Sequence, residues 1–357
     1  MTIDGATRTP GASGAGEGRR QSHGTGGFAR HKLLGILSGG WLAQACYAVV
    51  KLGVPDLLAG GPRTAADLAA ATGADPRVLH RLLRALAAAG VLKQTAPRTF
   101  ALSGVGELLR SDAPGSAHLV ALMHGEEVFR SFAEIMHTVR TGAPAFEKVY
   151  GQRFYAYLDE HPEAARTFNE SMGDQPVPPA LSTCDFTGIG RLVDVGGGNG
   201  ALLAEVLTAF PAMRGALLDR PDAVRAARAR LAEAGLVDRV DLVEGDFFTG
   251  VPAGGDGYVL ARVLHNWADD GAAEILSTVR AAMRPGARLF LLEHFLPEDT
   301  DLPATALVDL LMLVTLEGFD RTEGEYRDLL TAAGFRVLAA RRAESQPASG
   351  VLEATPA

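Results

Sequence analysis

The sequence predicts an α/β protein: a doubly wound, mostly parallel sheet in the C-terminal half, preceded by an all-α domain that ends in a small wing. Three observations predict it. From Arg191 onward, short apolar runs alternate with helical patterns, the order of βαβ units. The first such run, Leu192–Val195, opens into Gly196-Gly197-Gly198-Asn199-Gly200, a glycine loop that feeds a helix. Before Arg191 the apolar residues recur instead at three- and four-residue spacing, as on a helix face.

Length and composition bound the possibilities. The 357 residues have room for two domains. A net charge of −8 argues against a protein built mainly to hold nucleic acid or an anionic membrane, since both need a positive field. The two cysteines, Cys46 and Cys184, form no C-x-x-C pair, which excludes a disulfide scaffold or Cys-rich zinc site and points to a reducing cytoplasm. No metal site is expected. No apolar run reaches the roughly 18 residues of a membrane span; the best, Leu307–Leu316, is broken by Asp309. The N-terminus shows no signal-peptide apolar region.

Residues 1–27 are Gly, Ser, Thr and charge, and are expected to be a disordered tail. A helix pattern begins at Phe28 and carries Leu33, Leu34, Leu37, Trp41, Ala45 and Ala48 on one face, up to the break at Gly53-Val54-Pro55. Thr64 caps a helix with Asp67 in the capping position, and Gly73 ends it. Asp75-Pro76 starts a second helix with Leu79, Leu82, Leu83 and Leu86, and two short strands flank Pro97. Helix, turn, helix and wing make a winged-helix pattern over 28–112. Arg77, Arg81 and Arg84 share a face of its second helix, which in an acidic protein reads as a solvated face before it reads as a DNA contact. A helical region over 113–182 follows, then the sheet domain over 183–357. Its expected strands are Leu192–Val195, Gly215–Leu218, Val240–Val243, Gly257–Val263 and Arg288–Glu293, with a final pair at Phe335–Ala340 and Val351–Glu353.

The chemistry gathers at the carboxyl ends of those strands, where open α/β sheets bind ligands. Gly196-x-Gly198-x-x-Ala201 fits a dinucleotide fingerprint, with Asp219 further along the chain. Asp194, two residues before Gly196, disfavours a pyrophosphate and suits a ligand with a cationic end, such as S-adenosylmethionine. Asp219 after the second strand suits ribose hydroxyls or the start of a helix, two readings of similar weight. Asp246 and Phe247 after the third strand suit an adenine amino group and its stacking face. His265 after the fourth strand is either a satisfied structural residue or a general base. Glu293 and Asp320 are each placed to hold its tautomer.

The run D-V-G-G-G-N-G from Asp194, with L-L-D-R-P, E-G-D-F-F, V-L-H-N-W-A-D-D and the E-G-F-D-R-T-E segment, resembles the S-adenosylmethionine-dependent O-methyltransferases of the plant phenolic and bacterial polyketide or antibiotic type. With the winged-helix segment, the resemblance covers about residues 28–357. It implies a Rossmann-like catalytic domain, and a homodimer formed through a winged helix that serves dimerisation rather than DNA. It implies His265 as the base that deprotonates an aromatic acceptor, flanked by Glu293 and Asp320, the latter one methylene shorter than the family's usual Glu. It carries cofactor contacts onto Gly196, Asp219, Asp246 and Phe247. Ala261 stands where many members have Lys, so that polar cofactor contact is either missing or supplied by a neighbour such as Arg262. Phe168 and Met172 resemble acceptor-pocket residues, their plain alternative being core, and Asn266 beside the base is a further acceptor contact. Two other classes stay open: a nicotinamide-dependent oxidoreductase, and a non-methylating or DNA-binding relative.

Overall fold

The computed structural model describes residues 21–173, 176–297 and 303–357. The chain divides after Gly106 into two compact units. In the smaller, helices Gln21–Leu37 and Gly39–Lys51 lead to a short helix Val54–Leu58, entered through Gly53 in the left-handed region. The first helix starts inside the stretch expected to be a tail, so for residues 21–27 that expectation is corrected. Extending an existing helix is far less costly than nucleating one, which composition alone does not register. Residues 1–20 lie outside the described residues.

Next come β1 (Arg63–Thr64), helices Ala65–Thr72 and Pro76–Ala88, β2 (Leu92–Ala96) and β3 (Thr99–Leu102). The strands pair antiparallel in the order β1-β3-β2. Thr64 accepts from the Asp67 N–H at 3.1 Å and Asp75 accepts from the Arg77 and Val78 N–H groups, so both helices start on side-chain caps. Leu68, Leu79, Leu83, Leu86 and Phe100 form the core of this unit. The apolar face of the first two helices stays uncovered: Phe28, Leu33, Ile36, Leu37 and Trp41 are exposed, Trp41 at 77%. From Gly27 to Lys51 these helices are long and apolar enough to cross a membrane, contrary to the expectation that no run is. Polar interruptions at Arg30, His31 and Lys32 hide that length from a scan for unbroken apolar runs. Arg77 pairs with Asp75 at 3.8 Å, and Arg81 lines an apolar groove with Trp41, Leu42 and Val78.

The larger unit begins at Glu107, so the region over 113–182 belongs with the sheet rather than standing apart as a linker. Its strands are β4 (Arg191–Val195), β5 (Arg214–Asp219), β6 (Val240–Glu244), β7 (Gly257–Ala261), β8 (Arg288–Leu296), β9 (Arg321–Thr322), β10 (Phe335–Ala343) and β11 (Gln346–Pro356). The sheet order is β10-β11-β8-β7-β4-β5-β6, with β9 against the end of β8. β6 to β8 pair parallel, while β11 runs antiparallel to both neighbours. Alternation sorts the side chains: Val193, Leu218, Leu260 and Leu291 face one helical layer, Leu192, Leu217, Val259 and Leu292 the other. Strand order reverses between β4 and β7, so the chain leaves those two strands in opposite senses and opens a crevice at their carboxyl ends. The apolar run around Asp309 is a helix, Pro303–Thr315.

Candidate active site

The glycine loop after β4 is shaped by its neighbours. Gly196 (φ +71°) donates its N–H to the Leu218 carbonyl at 2.8 Å, and a Cβ there would stand 2.9 Å from Val263 Cγ2. A Cβ on Gly197 would meet the Asp194 carboxyl at 2.7 Å. The backbone therefore lies flat on the strand ends as no other residue type allows. Beneath it Asp194 is 1% exposed, and its Oδ2 has no hydrogen-bond partner. Burial, with Asp219 close by, pushes this carboxyl up to about 7. Asp219 accepts from the Gly198 N–H at 2.7 Å and the Arg220 N–H at 2.7 Å. The helix Pro221–Glu233 starts without a side-chain cap, so the helix-cap reading of Asp219 fails and it braces the glycine loop instead. Gly198 (φ +57°) supplies the loop's bend. Asp246 is exposed and accepts from the Phe248 N–H at 2.9 Å. Phe247 leans over Gly196 and meets Trp267 edge-on at 6.0 Å.

His265 lies in a tight turn, Leu264–Asn266, just past β7. The turn is launched by Arg262, a non-glycine residue at φ +55°, and closed by Asn266 Nδ2 donating to the Arg262 carbonyl at 3.2 Å. Glu293 Oε1 accepts from the Val263 and Leu264 N–H groups at 3.0 and 2.8 Å, which pins the turn to β8. Two carboxylates face the same ring nitrogen. Asp320 Oδ1 is 3.2 Å from His265 Nδ1, and Glu293 Oε2 is 3.7 Å from it. An Nδ1–H given to Asp320 leaves Nε2 as the basic nitrogen. Burial opposes a charge on the imidazole and Arg262 does too, yet Glu293 and the hydrogen-bonded Asp320 outweigh them and hold it above its ordinary value. Burial lifts the Glu293 carboxyl itself.

The loop bearing Asp320 is locked against this turn. A Cβ on Gly318 would sit 2.0 Å from the His265 carbonyl oxygen, so backbone packs directly on backbone. Arg321, 1% exposed, donates to the Trp267 carbonyl at 2.9 Å, the Leu264 carbonyl at 3.3 Å and Asp269 at 2.7 Å. The sequence does not single out Gly318 or Arg321, because a buried arginine in a packed loop looks in sequence like any surface arginine.

An aromatic wall adjoins these turns. Tyr155 stacks on Trp267 at 5.7 Å and meets Phe168 edge-on at 6.1 Å. Phe168 also meets Phe154 at 5.1 Å, so it sits within an aromatic cluster. Met172 is 39% exposed. Arg262 donates to the Pro176 carbonyl at 3.1 Å, and its charge lies close to Glu293. Tyr155, absent from the sequence reading, is placed by the wall and by Arg220, whose guanidinium lies 5.8 Å over its ring.

A glycine cradle, acids on successive strand ends and a paired histidine, all at the switch point of one sheet, define a class I methyltransferase. The chain belongs to the O-methyltransferase family: the family's O-methyltransferase domain matches residues 132–336 and its dimerisation domain residues 34–112. It is 42% identical over 306 residues to the phenazine O-methyltransferase PhzM of Lysobacter antibioticus, covering 85% of this chain and 90% of that one. It is also 42% identical over 305 residues to the 8-amino-8-demethylriboflavin N,N-dimethyltransferase of Streptomyces davaonensis, covering 83% and 87%. An O-methyltransferase from neocarzinostatin biosynthesis, solved with S-adenosylmethionine and 2-hydroxy-5-methyl naphthoic acid, superposes with a TM-score of 0.79 at 33% identity, over 88% of this chain and 96% of that one. The protein is a methyltransferase that uses S-adenosylmethionine. The cleft fits that cofactor: the unpartnered Asp194 Oδ2 is an acceptor without a donor, and the glycine cradle has no side chain to block a close approach. Family membership sets aside the nicotinamide reading.

Proposed function

We propose that this enzyme methylates a phenolic hydroxyl of a flat aromatic secondary metabolite, with His265 as general base. The observation that carries the reading is the pair of carboxylates on His265 Nδ1, which orients the ring and keeps the imidazole basic. S-adenosylmethionine supplies a methyl group already activated by its sulfonium charge. Asp194, Gly196 and Gly198 would hold its cationic amino-acid end, Asp219 its ribose, and Asp246 with Phe247 its adenine. Arg262 is turned to the Pro176 carbonyl and toward Glu293, which supports a role in setting the charge around His265 more than a direct cofactor contact.

A phenol is mostly neutral at pH 7, with a pKa near 10 like tyrosine. His265 Nε2 takes its proton as the oxygen attacks, and Asp320 and Glu293 stabilise the imidazolium that forms. Phe168, Tyr155 and Trp267 offer faces for an aryl ring, Met172 a flexible edge and Asn266 a polar contact. Holding the acceptor oxygen in line with the methyl group can supply roughly 7–11 kcal/mol of barrier lowering.

The exposed apolar face of residues 28–41 supports a homodimer, because a second copy would cover it as the dimerisation family requires. Cys46 and Cys184 are free thiols. A second reading, transfer to an aromatic amine, is favoured by the dimethyltransferase relative. A panel of phenols and anilines incubated with methyl-labelled S-adenosylmethionine tests both. Label on phenols supports the proposal, label on anilines alone moves the assignment to nitrogen, and exchange with neither class overturns it.

A further inference from the structure

Asp309 is the acid that interrupts the apolar run of the helix Pro303–Thr315. Its neighbours are Leu307, Val308, Leu310, Leu311 and Met312, and Met312 packs against the aromatic cluster that holds Phe168. A carboxylate in such company costs free energy unless something uses it. Its Oδ1 accepts the backbone N–H of Asp320 at 3.1 Å. We propose that Asp309 is a positioning residue for methyl transfer: it grips the backbone of Asp320 and so holds the Asp320 carboxylate against His265 Nδ1.

Aspartate has two side-chain torsions, so the place of its carboxylate follows the place of its backbone. The Asp320 backbone is held on both sides. Asp309 takes its N–H from the helix, and the next residue, Arg321, is tied to the Leu264 and Trp267 carbonyls that flank the His265 turn. Gly318 closes the loop against the His265 carbonyl. The acid two positions beyond that glycine is thereby set 3.2 Å from Nδ1 although it is one methylene shorter than a glutamate. Asp309 also joins the acceptor wall to the base, because the helix that carries it presents Met312 to the cluster.

The other charged and titratable groups around His265 are Glu293 and His294 on β8, and Arg262 past β7; Tyr326 lies near both carboxylates. Asp309 acts on His265 only through Asp320. The proposal therefore rests on the Asp320–His265 contact, and the test separates the two.

The experiment is an NMR titration of the His265 imidazole in the full-length enzyme with S-adenosylhomocysteine bound, its resonance assigned by its loss in His265→Gln. Wild type is compared with Asp309→Leu, Asp309→Ala, Asp309→Asn and Asp320→Asn. Removing the grip frees Asp320, so Asp309→Leu and Asp309→Ala lower the imidazole pKa by about half a unit or more. Asp309→Asn keeps an acceptor oxygen and leaves it in place. Asp320→Asn lowers it at least as far. An unmoved titration in whichever of Asp309→Leu and Asp309→Ala folds, beside a lowered one in Asp320→Asn, overturns the proposal. An unmoved titration in Asp320→Asn overturns the contact on which it rests. A change in melting temperature without a shift assigns Asp309 a structural role only.

Discussion

The two ring nitrogens of His265 stand in different surroundings. Asp320 and Glu293 crowd Nδ1, and the ring is held above its ordinary pKa against the opposing effect of burial. In the proposed mechanism the base is the neutral ring, so activity is expected to fall as pH drops through that raised value. The acidic limb of kcat/KM is expected above pH 6.5. Asp320→Asn keeps an acceptor oxygen but removes a negative charge, so the limb moves to lower pH while the plateau falls. Glu293→Gln removes the largest single charge effect that raises the ring, so it moves the limb in the same direction. A limb displaced upward by either substitution would contradict the assignment. Asp194 makes a second residue-level prediction. Its carboxyl, pushed up to about 7, lies well above the ordinary aspartate range. The folded state keeps the proton, so this group's contribution to stability is complete below pH 4 and is lost as pH rises through about 7. The full penalty is on the order of 4 kcal/mol. Asp194→Asn is expected to raise the melting temperature of the free enzyme at pH 8 and to weaken S-adenosylhomocysteine binding at least tenfold. Differential scanning fluorimetry and a binding titration read the two effects.

At the scale of elements, the strands past Arg191 were legible because parallel strands buried on both faces are short apolar runs with glycine or acid at their ends. Leu192–Val195, Val240–Val243 and Gly257–Val263 were all found within two residues of the observed bounds. The strand ends showed Asp194, Gly196, Asp219 and His265 as one constellation, since parallel topology brings every carboxyl end to one edge. What stayed hidden came from tertiary contact. Nothing in the order of residues says that Asp219 braces the Gly198 N–H, or that Gly318 lies on the His265 carbonyl. The helix Pro303–Thr315 read as an interrupted apolar run because its one acid is turned to Asp320. Gly318→Ala tests the backbone lock. The added Cβ forces the two turns apart, so kcat is expected to fall at least tenfold. Affinity for S-adenosylhomocysteine is expected to stay unchanged, because the proposed cofactor contacts lie on other strand ends. Equal loss in both would show that the substitution disturbs the whole edge.

At the scale of the molecule, each unit has its own core, and the smaller leaves an apolar helix face bare. Light scattering is expected to report a dimer, and Trp41→Asp, at a side chain 77% exposed, a monomer that still melts cooperatively. A wild-type monomer would send the apolar face to another partner. The larger unit brings a glycine cradle, a buried acid and a paired imidazole to one sheet edge, and the central claim is that methyl transfer needs that imidazole as a base. The most direct measurement is single-turnover methyl transfer by His265→Ala alongside its affinity for S-adenosylhomocysteine. The expected result is a rate lower by about 10²–10⁴-fold with affinity unchanged. A rate equal to wild type would contradict the role given to His265.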